Sequence, residues 1–390
     1  MTSPASNKQI TPFFSVPFRP FFLSGSLFSV LAILAWAGVL NAWFSFEPYA
    51  NSFWWHAHEM LFGFVAAIVT GFLLTAVQNW TGLTSLKGRS LMLLWLLWLA
   101  GRLVLAFDFG LASGWIALID LSFLPLVAFV LGRLIIKVKL WRNLIFVPVI
   151  TLMTIANSLM HWGAISQNSE LVSQGSYAMV MLVVLLITVL GGRVFPMFTA
   201  NGTGTKKVES IPLLETLTIA STVLIALIYT SGFSLPVEIK AGLLIFSGTC
   251  HLVRLIRWRF WVTFKTPLVW SLHLGYLGIP VGFLLIAFHY LSVDIQLSTV
   301  LHGLTISAIG STILAMITRV SLGHTGRKLI AGKFIAIAYI VLFLSFLIRV
   351  FYPLTGFDYT SSMAVAALFW ALAYGTYTVI FFPKLVTKKL

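Results

Sequence analysis

The sequence predicts an all-α fold, a polytopic transmembrane helical bundle of about twelve helices with both termini cytoplasmic. Three observations predict it. Of 390 residues, 59% are hydrophobic and 9% charged, where a soluble domain averages about 45–50% apolar and about 25% charged. Apolar runs of about 20 residues, the length that crosses a bilayer, recur from end to end. The basic residues gather on alternate connections, as cytoplasmic loops require.

In order, the apolar runs lie near 22–43, 56–80, 90–107, 112–136, 143–163, 176–197, 212–232, 237–257, 267–290, 295–320, 330–350 and 362–386. The third and fourth are parted only by Asp108-Phe109-Gly110 and are the least distinct as separate helices. Residues 1–21 are polar and rich in proline (Pro4, Pro12, Pro17, Pro20), which predicts a cytoplasmic segment with no removable signal peptide. Residues 22–390 then form a single transmembrane domain, since every connection is short. No repeat relates the first six runs to the last six, which disfavours the duplicated transporter folds.

A formal charge of +15 invites a nucleic-acid partner, but the placement of the charges excludes one. With the N-terminus inside, every Lys and Arg from Lys8 to Lys389 falls on the cytoplasmic side except Arg102, Lys240 and Arg349. The excess is therefore topology, with anionic lipid as the partner it suits. An even number of spans is needed to keep that pattern.

Cys250 is the one cysteine. It excludes an internal disulfide, a Cys-x-x-Cys-His haem attachment and a Cys-ligated iron–sulfur cluster, so any haem would be non-covalent, of the b type. No phosphate-binding glycine loop, His-Glu-x-x-His or Gly-x-Ser-x-Gly occurs, nor the adjacent histidine pair of a haem–copper oxidase.

The densest chemistry is Trp55-His56-Ala57-His58-Glu59-Met60 at the head of the second run. Ionisable groups at the edge of a bilayer are costly and mark function. Residues two apart on a helix point about 200° apart, so His56 and His58 should serve different sites, with Glu59 and Met60 on the face of His56. Met60 and Glu59 are further metal-ligand candidates, because copper in its +1 state accepts Met and His. His161, His289 and His302 lie at the same outer depth, which would allow all five histidines to meet. His302 stands beside Gly303, Ser307 and Ser311, a small-residue stripe that admits a flat cofactor or a close helix. It is a candidate axial ligand of haem iron; tight packing, with the imidazole on a backbone carbonyl, is the alternative.

Toward the cytoplasm, His273 and His324 form a second candidate set. Gly191-Gly192-Arg193 through Pro196 to Asn201-Gly202 should close the sixth helix, with Arg193 and Asn201 as an anion or propionate clamp or a plain anchoring turn. Arg102 and Asp120 read as a structural ion pair, and Asn157 as the partner of His161 one turn on.

These motifs resemble the NnrS family of bacterial membrane proteins. The resemblance spans nearly the whole chain. It rests on Pro17-Phe18-Arg19-Pro20-Phe21-Phe22, Trp55 to Met60, Gly192-Arg193 with Pro196, Phe198, Thr199 and Asn201, Trp270-Ser271-Leu272-His273, and His302 through Arg319 to Arg327. It implies a haem- and copper-containing protein of the bacterial inner membrane that protects against nitric oxide and nitrosative stress. The chemistry and motif positions of the residues, rather than the family, offer His56, His58, His161, His302, His273 and His324 for haem and His56, His58, Glu59, Met60 and His302 for metal. An electron donor is not named by the residues. A multi-span permease without haem and a haem-holding sensor remain beside this reading.

Overall fold

The computed structural model describes residues 11–291, 295–352, 356 and 358–388. The rest of the N-terminal segment, with Lys8, and Lys389 at the other end lie outside them. Among the described residues there is no strand, and twelve helices are long and apolar enough to cross a membrane. They are α1 (Phe18–Leu40), α2 (Ser52–Thr81), α3 (Arg89–Ala106), α4 (Ser113–Lys137), α5 (Trp141–Ile165), α6 (Ser169–Thr203), α7 (Pro212–Ser231), α8 (Val237–Arg257), α9 (Pro267–Leu291), α10 (Leu297–His324), α11 (Lys333–Phe351) and α12 (Tyr359–Val386). The chain is a multi-pass membrane protein. Helices result because lipid offers no hydrogen-bond partners, so each span must satisfy its own backbone.

Ends are set by side chains that replace the missing turn. The Asn51 side chain caps α2, accepting from the Trp54 N–H at 2.9 Å, and Asn168 caps α6 in the same way. Gly82 and Gly204, at φ +69° and +67°, stop the same two helices in the left-handed conformation that glycine adopts without strain. α3 and α4 are separate helices, parted by 107–112.

The helices form a ring in chain order, each against the next, closed where α1 packs on α12. Buried Arg19 holds that seam by donating to the Leu385 carbonyl at 2.9 Å and to the Thr387 carbonyl, so both termini lie at one end of the bundle. Burial separates inner from outer helices: α2, α6 and α10 are 78%, 78% and 83% buried over their apolar windows, against 33–44% for every other helix but α9. A helix apolar on all sides belongs inside, and α6 is one. The inner helices are the second, sixth and tenth, so they run parallel. The inner helices thus recur at every fourth position in the chain.

The sequence reading of Pro196 needs correction. α6 does not end there but continues to Thr203, with Pro196 inside it. The glycine at 192 instead leaves room for the Arg254 guanidinium and Glu215, which a Cβ there would strike. Of the two readings of the stripe on α10, the close helix is the one seen. The stripe meets α9, where a Cβ on Gly278 would collide with the Ala308 backbone and one on Gly282 with Leu304. Helices in lipid associate by such close packing. Gly278→Val is therefore expected to cost about 1–3 kcal/mol, seen as a lower unfolding midpoint in detergent.

Candidate functional site at the buried histidines

At the end away from the termini, α2 opens with an α-helical Ser52–His58 and then widens into a π-helical Glu59–Val65. α10 does the same, with Leu297–His302 followed by a π-helical Gly303–Gly310. Widened turns of this kind frequently mark functional sites, and here each follows a histidine directly. His302 is the sixth residue of its helix, slightly nearer the helix start than the apolar run suggests.

His56 and His58 face different surroundings, as the 200° between them requires. His56 lines a cavity with Met60 of α2, His302 and Thr305 of α10, Tyr177 of α6 and Arg349 of α11. Its walls are otherwise largely apolar, with Ser176, Ser298 and Ser345 among them, and the centre of a water-sized sphere can reach about 210 Å³ of it. His302 donates its Nδ1–H to the Ser298 carbonyl at 2.6 Å, which leaves Nε2 the bare acceptor nitrogen. The His56 ring stacks on Trp36 with centroids 4.6 Å apart and planes at 10°. Nδ1 of His56, Nη1 of buried Arg349 and Oγ1 of Thr305 have no hydrogen-bond partner among the described residues.

His58 enters a buried polar cluster. Its Nδ1 lies 2.9 Å from Glu59 Oε1, and its Nε2 2.8 Å from Asn157 Oδ1 and 3.2 Å from Asp120 Oδ2. Asn157 Nδ2 donates to Asp120 Oδ2 at 2.7 Å, and His161 Nε2 lies 3.2 Å from the same oxygen. Arg102 pairs with Asp120 and lies 3.2 Å from Glu59. Trp54 roofs the cluster, stacked 4.4 Å from the His58 ring. His58, Asp120 and His161 each offer one ligand atom, all within 4.8 Å of one another, as a metal ion would need.

The two carboxylates of this cluster are not balanced by Arg102 alone. Two carboxylates, Glu59 and Asp120, face one guanidinium, and all are buried. Both nitrogens of His58 face oxygen acceptors, so the ring carries a proton on each or exchanges one for a metal ion. Either adds the missing positive charge, and an uncompensated charge in lipid is costly. The site is packed to tolerance: a Cβ on Gly63 would lie 2.6 Å from Arg102 Nη1 and 2.9 Å from Glu59 Oε2.

The other sequence candidates lie elsewhere. Glu59 does not share the face of His56; it turns to Arg102 and His58, because a buried carboxylate goes where its counter-charge is. The candidates His56, His58, Glu59, Met60 and His302 therefore fall into two groups, His56, Met60 and His302 on the cavity and His58 with Glu59 in the cluster. His289 does not join them and donates to the Ile295 carbonyl. His273 lies 2.8 Å from Thr199 Oγ1, and His324 packs on Phe18 with ring centroids 5.5 Å apart. Arg193 donates to Asn143 Oδ1 at 2.8 Å, lining a basic cleft near the termini with Arg142 and Arg257, and Asn201 is exposed.

Asp120 and Arg349 are the residues the motifs missed. Arg102 and Arg349 carried a signal: of the three basic residues that break the charge pattern, these two stand at the cluster and the cavity. Asp120 carried less, being read only as the partner of Arg102; it accepts from Asn157 as well and faces both histidines.

Comparison with known proteins agrees with the motifs. The family model described as NnrS protein matches residues 12–389, nearly the whole chain, so the chain belongs to the NnrS family. Membership supports a membrane protein of the nitric oxide response. No curated protein matches it.

Proposed function

From that membership as premise, we propose that the protein holds a b-type haem at the His56–His302 cavity and copper at the His58–Asp120–His161 cluster. On this reading it protects bacteria against nitric oxide and nitrosative stress from the inner membrane. The observation that carries the proposal is His302: its Nδ1–H is committed to the Ser298 carbonyl, which fixes the tautomer that presents Nε2 to a metal. His56 faces the same cavity from a parallel helix, with Nδ1 unpartnered. Arg349 supplies a buried cation on the wall, its Nη1 without a hydrogen-bond partner among the described residues, suited to a propionate.

Haem iron, when bound, supplies a site for a neutral diatomic ligand. The chain does the rest. The largely apolar walls would limit water, His56 and His302 would hold the ring, and Arg349 would offset its acid groups. Organic ligand sites commonly offer about 300–1,000 Å³, more than the about 210 Å³ this cavity opens, so seating a macrocycle would require its walls to part. Two imidazoles and a carboxylate suit Cu(II) well, and Glu59 on the far nitrogen of His58 would raise the basicity of that ligand. Met60 is on the cavity side and would not join this copper.

The test is an absorption spectrum of detergent-purified protein, oxidised and reduced, with haem and copper quantified on the same sample. A Soret band that shifts on reduction and again with nitric oxide is expected, with stoichiometric haem. A colourless, metal-free protein from haem-replete cells would overturn the reading and turn attention to solute flux, as a permease requires.

A further inference from the structure

A second cavity lies among the three inner helices, deeper in the bundle, and about 80 Å³ of it can be reached by the centre of a water-sized sphere. The histidine cavity is lined by Val65 of α2, Val180 of α6 and Ile309 of α10. The second is lined by Ile68 and Val69, by Val183, and by Thr312 and Ile313. On each parallel helix the step is three or four residues in the same direction. The facing rims of the two cavities are therefore one helical turn, about 5.4 Å, apart along a shared axis.

Its chemistry selects what can occupy it. A buried water needs about 2–4 polar partners. This cavity offers one lining hydroxyl, Thr312 Oγ1, itself without a partner among the described residues, while the helical backbone is already bonded. Apolar cavities of this kind stay dry and take up xenon or small apolar molecules. Phe22, Leu73 and Ile187 complete walls that a neutral gas dissolved in the bilayer can approach without crossing water.

We propose that this mid-bundle cavity is a docking site for a neutral diatomic gas, its rim one turn below that of the histidine cavity and on the way to it. That the gas is nitric oxide rests on the function proposed above; occupancy by an apolar atom does not.

The experiment is a structure of the wild-type protein in nanodiscs under xenon pressure, repeated for Val183→Phe. A xenon peak beside Val183 and Ile313 is expected in the wild type and its loss in V183F. Absence of the peak in the wild type, or its survival in V183F, would overturn the proposal. If V183F does not fold, Val183→Ala enlarges the cavity and should raise xenon occupancy; unchanged occupancy would count against it. In haem-loaded protein, V183F should slow nitric oxide capture after flash photolysis severalfold with the spectrum unchanged. An unchanged rate would remove the transit role. The two readings fail separately: a colourless protein that takes up xenon retracts the haem, and a haem protein that takes up none retracts the dock.

Discussion

Arg102→Leu is expected to be among the most destabilising single changes in the bundle, costing about 3–5 kcal/mol. The Arg102 guanidinium bridges Asp120 and Glu59, both buried, and its removal leaves two carboxylates in a medium that cannot solvate them. The measurement is the unfolding midpoint in mixed micelles, beside the double variant Arg102→Leu with Asp120→Leu. The double variant should lose less than the single one, because removing both members of a buried pair leaves no stranded charge. A single variant within about 1 kcal/mol of wild type would mean that the carboxylates are neutral without Arg102. The two-against-one charge count would then be wrong.

His302→Ala and His161→Ala should separate the two sites. His302→Ala should abolish the haem absorbance while leaving copper, because the fixed Nε2 is lost and the cluster is untouched. His161→Ala should do the reverse, lowering copper content while the Soret band persists. Absorption and metal analysis on the same preparations read both. If each variant lost both cofactors together, the cavity and the cluster would be one site, against the separation of His56 and His58 seen across α2. Loss of a metal ligand commonly lowers affinity far more than loss of the residue that orients it. Asn157→Ala should accordingly reduce copper less than His161→Ala.

The spans were legible because hydropathy measures each residue against a solvent that changes only along the membrane normal. Twelve apolar runs and twelve helices agree, and the helix boundaries follow caps such as Asn51 and Asn168 that are local in sequence. The Trp55–Met60 stretch announced itself by composition, and the 200° rule parted His56 from His58 before any contact was known. Arg102 and Arg349 stood out as exceptions to the charge pattern. What was not legible is who meets whom. Asp120, Asn157 and His161 reach His58 from 62, 99 and 103 positions along the chain, a difference read directly from their numbers. Pro196 inside α6 and the glycine face of α9 against α10 were equally out of reach, because each depends on a neighbour that local pattern does not specify.

The chain's order alone thus determined the helices, their number and the end of the bundle at which the candidate histidines lie. The tertiary structure decided that α2, α6 and α10 are innermost, that His302 joins His56, and that His58 joins Asp120 and His161. The reason is physical: across the membrane, water and lipid sort side chains one at a time, but within its plane every direction is equally apolar. There, side-chain shape and the few buried charges choose the partners.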